Sequence, residues 1–251
     1  MPSIKGQNIL VIGGTSGIGF AIANLALQQN VNVAIASSNS TRVDAAVKTL
    51  KTSFPDGKIE GYVCDLGTSD VESSLDHLLM NVTSDGTALL DHIISTAGRA
   101  PDAKPLAETS FEKLADSGRA GFTVPLVIAK IGVRYLKKSP KSSLIFTGGQ
   151  VAEKPIANYT LYSTMAAGLI GMTRNLALDM APIRVNLVAP GPTLTEMWGP
   201  NREQVGEVVA KNALLGKVGS AEEVAEAYIY LMKDSNATGS CVSSNGGSLL
   251  R

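Results

Sequence analysis

The chain has 251 residues, with 22 Lys plus Arg against 22 Asp plus Glu, so it carries no formal net charge. A neutral chain lacks the basic footprint of nucleic-acid binders and of proteins that adhere to anionic membranes. Its two cysteines, Cys64 and Cys241, are too few for a disulfide framework and too far apart for a zinc site. No apolar run reaches the length of a membrane span, and the opening Met-Pro-Ser-Ile-Lys-Gly has no apolar signal-like stretch. The expectation is a cytosolic protein in a reducing compartment, with no metal, nucleic-acid or membrane partner. Hydrophobic residues make up 44% and aromatic ones only 5%, so the core is expected to be Ala, Val, Ile and Leu, as in buried parallel sheets.

Short apolar runs predict strands at about 8–12, 31–36, 59–64, 90–95, 142–147, 183–188 and 240–243. Helical periodicity predicts helices near 17–29, 41–53, 68–81, 107–117, 120–137, 159–181 and 220–233. The alternation implies right-handed βαβ crossovers. The predicted architecture is a single doubly wound α/β domain spanning 1–251, a Rossmann-type seven-stranded parallel sheet with three helices on each face. Segment 190–218, which holds Pro190, Gly191, Pro192, Trp198, Gly199 and Pro200, reads as one long irregular excursion and a substrate-binding lid.

The first strand runs directly into Gly13-Gly14-Thr15-Ser16-Gly17-Ile18-Gly19, and a helix follows. Glycine permits the tight turn, the close approach of backbone to a pyrophosphate, and close helix–sheet packing. The helix N-terminus adds unpaired N–H groups and a positive dipole end. Gly13, Thr15, Ser16, Gly17, Ile18 and Gly19 are therefore candidate dinucleotide-binding residues. The second strand ends Ala36-Ser37-Ser38-Asn39-Ser40-Thr41-Arg42. An acid that would bond ribose hydroxyls in an NAD site is missing. Ser37, Ser38 and Asn39 can donate hydrogen bonds to a 2′-phosphate, and Arg42 a charge-assisted one, so the reading favours NADP(H). The same residues can also cap the next helix, and both roles are compatible.

On these motifs the chain resembles the short-chain dehydrogenase/reductase family, over nearly its whole length. Further matches fall in the family's order: Cys64-Asp65-Leu66 after the third strand, Thr96-Ala97-Gly98 after the fourth, Ala189-Pro190-Gly191-Pro192-Thr193-Leu194-Thr195 after the sixth, and Asn245-Gly246-Gly247 near the end. The resemblance implies cofactor contacts at Asp65, Leu66, Ala97, Gly98, Pro190, Gly191, Thr193 and Thr195. It also implies a homodimer or homotetramer paired through the helices near 107–137 and 159–181.

The family's reductase chemistry needs a Tyr acid, a Lys four residues later to lower its pKa, a Ser to polarise the carbonyl, and an Asn on an earlier helix. None of the six tyrosines has Lys four positions on. Tyr162 matches the family Tyr, but Ala166 stands in place of the Lys. The Ser position falls on Gly148 or Gly149, leaving Thr147 as the nearest hydroxyl, and the Asn position falls on Gly118. Candidate catalytic residues are Tyr162, Thr147 and Glu153, the last on the loop after the fifth strand, where a carboxylate could stabilise a cationic substrate. Tyr162 can equally be a packing residue lining the cleft, and Glu153 can form a solvated pair with Lys154. Arg119 can face the same cleft or be an exposed helix residue, His77 and His92 read as structural, and Met197 and Trp198 fit either an apolar substrate or a buried anchoring role.

Three functions stay open. One is an NADP(H)-dependent reductase acting on an imine, iminium or activated carbonyl of an apolar small molecule, of the kind the wider family places in fungal natural-product pathways. Another is a non-redox cyclase, pericyclase, isomerase or dehydratase on the same fold, with the dinucleotide structural or absent. The last is a catalytically silent dinucleotide-binding protein.

Overall fold

The computed structural model describes residues 2–98, 100 and 103–250. Seven strands form one parallel sheet: β1 (Asn8–Ile12), β2 (Asn32–Ser37), β3 (Ile59–Val63), β4 (His92–Ser95), β5 (Ser143–Thr147), β6 (Arg184–Pro190) and the last, Cys241–Ser244. The spatial order runs β3-β2-β1-β4-β5-β6 and then that last strand. The sequence order reverses direction between β1 and β4, the switch point at which ligands bind such sheets. All four residues of β4 and all seven of β6 are buried, as expected of strands covered on both faces.

The helices divide evenly. One face carries α1 (Gly17–Gln28), α2 (Ser40–Ser53) and a late helix, Ala221–Lys233, which pack Ile22, Leu50 and Tyr228 against β1, β2 and β6. The other carries α3 (Val71–Val82), α5 (Val124–Gly132) and α6 (Thr160–Asp179), which pack Leu75, Ile128 and Leu169 against β4, β5 and β6. Between α3 and α5 lies α4 (Phe111–Gly118), joined to α5 without a break by a π-helical turn, Arg119–Thr123.

Segment 190–218 is not irregular. It opens on a two-residue strand, β7 (Thr193–Leu194), passes a 3₁₀ turn at Glu196–Trp198, and forms α7 (Arg202–Asn212). It closes as β8 (Gly219–Ser220) pairs with β7; the helix Ala221–Lys233 is then α8 and the strand Cys241–Ser244 is β9. The flanking Pro and Gly residues and Gly206 in mid-helix hid α7 in the sequence, because they argue for a loop. Tertiary contact overrides them: a side chain at Gly206 would touch Leu194, so the missing Cβ lets the helix seat against β7.

The expected helix 120–137 is likewise shorter and starts with a π turn. Gly121 allows this, since a Cβ there would run into the Met165 side chain of α6. The bottom of the sheet is tied by buried polar groups. Arg184, 3% exposed, donates to the carbonyls of Pro140, Leu231, Ala237 and Met232. Asp91 accepts from the Asn8 amide and pairs with Lys137 at 2.8 Å. His92 is wholly buried, donating from Nε2 to Gln7 and accepting at Nδ1 from Ser143, so it is structural as read. His77 lies on the exposed side of α3. Among the described residues no helix is long and apolar enough to cross a membrane, and no His, Cys, Asp and Glu cluster could hold a metal.

Candidate active site

At the carboxyl ends of β1, β4, β5 and β6 the strands open into a cleft of about 1070 Å³, roofed by α7 and the 3₁₀ turn before it. Its first wall is the glycine turn. Gly13 has φ +90°, and a Cβ there would lie 2.7 Å from Thr96 Oγ1 and 2.8 Å from the Ala97 amide nitrogen. A Cβ at Gly19 would press into the Gly13 carbonyl and lie 2.6 Å from Thr96 Oγ1. Thr96 Oγ1 itself donates to the carbonyls of Ile12 and Gly13, holding the turn against β4. Ser16 caps α1 without a side-chain hydrogen bond, and α1 has no acid in its first turn. The amides of Gly17, Ile18 and Gly19 have no partner among the described residues.

These observations fit a dinucleotide pyrophosphate: a close cradle, and an open, uncompensated helix N-terminus. Ser37, Ser38 and Arg42 line the same cleft, with Arg42 reaching Ser38 Oγ at 3.5 Å. Asn39 is a cap, its Oδ1 accepting from the Arg42 amide at 2.9 Å, and it does not line the cleft. Asp65, Leu66, Ala97, Gly98, Pro190, Gly191, Thr193 and Thr195 all do, as do Thr15 and Ser16. Asp65 Oδ1 accepts from the Gly67 amide, which shapes the turn after β3.

The catalytic candidates separate. Tyr162 lines the cleft with its hydroxyl beside Gly149, 3.7 Å from where a Cβ there would stand. Burial, and secondarily the nearby Tyr159, push its phenol above the ordinary tyrosine range. The two rings meet edge to face at 6.2 Å. Ala166, where a cation would counter that shift, is buried at 4% exposure. Thr147 also lines the cleft, but its hydroxyl proton goes to the Ser95 carbonyl at 2.8 Å. Its oxygen lies 2.7 Å from the hydroxyl of Tyr228, which is wholly buried and held neutral by burial. With the Thr147 proton committed, Tyr228 is the donor of that pair, and Thr147 has no proton left for a substrate.

Glu153 is exposed and does not line the cleft. Its charge is felt instead by the Cys241 thiol, raised first by burial and then by Glu153. Lys154, the alternative partner of Glu153, instead donates from Nζ to the Ser248 carbonyl at 2.7 Å. Arg119 does reach the cleft and donates to the Gly67 carbonyl. Sequence reasoning did not single out Gln150, Ile156, Val205 and Val209 as lining residues, nor assign Tyr159 to the wall. The Val205–Val209 spacing is a helix-face signal that reads clearly only once α7 is known.

Comparison with known proteins agrees with this architecture. A model of the SDR-like Rossmann domain matches residues 3–251, so the chain belongs to the short-chain dehydrogenase/reductase family. It is 44% identical to the short-chain dehydrogenase/reductase ATR9 of Stachybotrys chlorohalonatus over the full length of both chains. It is 37% identical to fsr5 of Gibberella fujikuroi, covering 98% of this chain and 96% of that one. The solved MalC reductase/Diels-Alderase of Malbranchea aurantiaca superposes with a TM-score of 0.93 at 36% identity, covering 99% of this chain and 97% of MalC. An NADPH-bound short-chain oxidoreductase of Pseudomonas aeruginosa PAO1 shares the fold at a TM-score of 0.89 and 24% identity, covering 96% of each chain.

Proposed function

We propose that this protein is an NADP(H)-dependent reductase for a substrate that is already electrophilic, an iminium or activated carbonyl on an apolar small molecule, within natural-product biosynthesis. One contrast carries the reading. The dinucleotide cradle is complete, while the proton-delivery apparatus has been taken apart: buried Ala166 in place of a cation, a committed Thr147 proton, and a Tyr162 phenol pushed up.

When bound, the cofactor supplies a hydride. Any carbonyl that takes hydride becomes an alkoxide and needs a proton, which an activated carbonyl, giving a less basic alkoxide, can take from water, whereas an iminium becomes a neutral amine and needs none. The amides of Gly17, Ile18 and Gly19 would hold the pyrophosphate, with Arg42 and Ser38 on the 2′-phosphate. Segment 190–218 would be the lid, with Met197, Trp198, Val205 and Val209 excluding water over the reacting carbon. Tyr162 would donate a hydrogen bond as a neutral phenol. Glu153 stands outside this set. Exposed Leu126 on α5 and Leu178 on α6 support a homo-oligomer paired through those helices.

The test is a melting shift with NADPH, followed by NADPH consumption against cyclic iminiums and ketones. Consumption with iminiums supports the reading. A melting shift without turnover on any of them overturns it and favours a second reading, a cyclase or pericyclase in which the dinucleotide is part of the wall. The name of the MalC reductase/Diels-Alderase, 36% identical, is the observation behind that alternative. Absence of any shift overturns the cofactor assignment and with it the reductase reading, and leaves only a cofactor-free form of the second.

A further inference from the structure

Gln150 opens the 3₁₀ turn after β5 and lines the cleft. It follows Gly149, the residue beside the Tyr162 hydroxyl, so Gln150 and Tyr162 share one wall. Its backbone is fixed, because its carbonyl accepts from the amides of both Glu153 and Lys154 at 2.9 Å. Its side chain is fixed as well: Oε1 accepts from the Ser248 hydroxyl, 98 residues away on the C-terminal turn. That turn is itself anchored. Lys154 Nζ donates to the Ser248 carbonyl at 2.7 Å, and the Asn245 side chain accepts from the Gly247 amide at 3.0 Å. With Oε1 occupied, the amide can use only its Nε2 hydrogens, and these have no partner among the described residues.

We propose that Gln150 is the hydrogen-bond donor that recognises a carbonyl-type oxygen of the substrate, a lactam, amide or activated ketone, and that Ser248 is a positioning residue that sets the orientation of its amide. The proposal rests on the reading of this cleft as a substrate site, and it names the substrate chemistry of that site: an apolar molecule bearing a neutral acceptor. Thr147 cannot fill this role because its proton is committed to Ser95, and Gly148 and Gly149 bring no side chain at all. A neutral amide is suited to it, since it donates without titrating across the working pH range and sits on a rigid element. Recognition of the acceptor thus depends on the C-terminal turn, through a contact that links distant parts of the chain.

The experiment measures binding rather than turnover, so its failure is separate from failure of the reductase reading. The probes are 3,4-dihydroisoquinolin-1-one, a bicyclic lactam, and 1,2-dihydronaphthalene, a hydrocarbon of similar shape without the acceptor. Both are titrated into the protein by ligand-observed NMR, with and without NADPH. One neutral hydrogen bond should give the wild type about a fivefold preference for the lactam. Gln150→Leu should abolish the preference and leave hydrocarbon binding in place. Gln150→Glu, which keeps the size but offers only acceptors at neutral pH, should abolish or invert it. Ser248→Ala should reduce it by about half without changing the melting point, since Ser248 lies on the outer turn. A wild type with no lactam preference, including one that binds neither probe, overturns the proposal. So does a Gln150→Glu protein that keeps the preference. Ser248→Ala with an unchanged preference overturns the positioning role.

Discussion

Replacing Thr147 with Val nearly preserves the side-chain shape and removes both hydrogen bonds of its hydroxyl. Tyr228, 0% exposed, then has a buried O–H without an acceptor, and the Ser95 carbonyl loses a donor. Orphaning the tyrosine costs about 2 kcal/mol and weakening the carbonyl about 1 kcal/mol, so Thr147→Val should lose about 3 kcal/mol. For a chain of this length that is a fall of about 6–12 °C in melting temperature. Tyr228→Phe removes the donor and leaves Thr147 bonded to Ser95, costing about 1 kcal/mol. The double variant has no orphaned hydroxyl, so it should be more stable than Thr147→Val alone, which is opposite to additivity. Denaturant unfolding of the four proteins, run beside turnover of a ketone, 1-tetralone, by each, checks both halves. If the two losses simply add, the hydrogen-bond assignment is wrong. If Thr147→Val folds well but loses turnover of the ketone by more than about a hundredfold, the scale of a lost proton donor, then Thr147 is catalytic and its proton is not committed to Ser95.

Other perturbations read other parts of the site. Gly19→Ala should lose about 2 kcal/mol by overpacking against the Gly13 carbonyl and Thr96, and should weaken NADPH binding by more than tenfold; Gly171→Ala, in mid-helix on α6 where a Cβ meets nothing within 4 Å, is the fluorescence-titration control for NADPH binding. Arg42→Ala should lower NADPH affinity about tenfold and leave NADH affinity unchanged, and the NADPH preference should shrink as salt rises, because Arg42 is exposed. Burial, then Arg184 and Lys137, lower the His92 pKa from 6.5 to about 3. The unfolded chain therefore binds a proton that the folded chain refuses between pH 6.5 and 3. This group's contribution to stability is intact above that window and falls by up to about 1.4 kcal/mol per unit as pH drops through it. Urea midpoints measured across that range in wild type and in His92→Gln should differ in slope. Because the Tyr162 phenol is raised, iminium turnover should be level from pH 6 to 9, and an alkaline inflection removed by Tyr162→Phe would contradict its neutral role.

The sheet was legible because its signal is local. Runs such as Ile9-Leu10-Val11-Ile12 are too apolar for anything but a buried strand, and each strand fell within about two residues of its expected place. The glycine turn was legible for a similar reason: the residues that need glycine are neighbours in sequence. What the sequence hid was non-local or contrary to propensity. α7 forms around Gly206 between Pro- and Gly-rich flanks because β7 and β8 close the segment beneath it. The Thr147–Tyr228 pair spans 81 residues, and Ser248–Gln150 spans 98, so no window of sequence contains either. Glu153 looked catalytic because it follows β5 closely, yet the 3₁₀ turn at Gln150–Ala152 carries the chain around and brings Gln150 to the cleft instead. The loss of the cation, by contrast, needed no structure, since Ala166 lies four residues after Tyr162 on one helix face.

The central claim is that this cleft reduces a substrate that brings its own electrophilicity. The most direct measurement is kcat/KM with NADPH for a cyclic iminium, N-methyl-3,4-dihydroisoquinolinium, against the ketone of matched shape, 1-tetralone. The account predicts an iminium advantage of at least about a hundredfold over the ketone, the scale of the general acid that is missing, and little change on Tyr162→Phe. Equal rates on the two substrates, or a ketone rate abolished by Tyr162→Phe, would show a working acid in the site and contradict it.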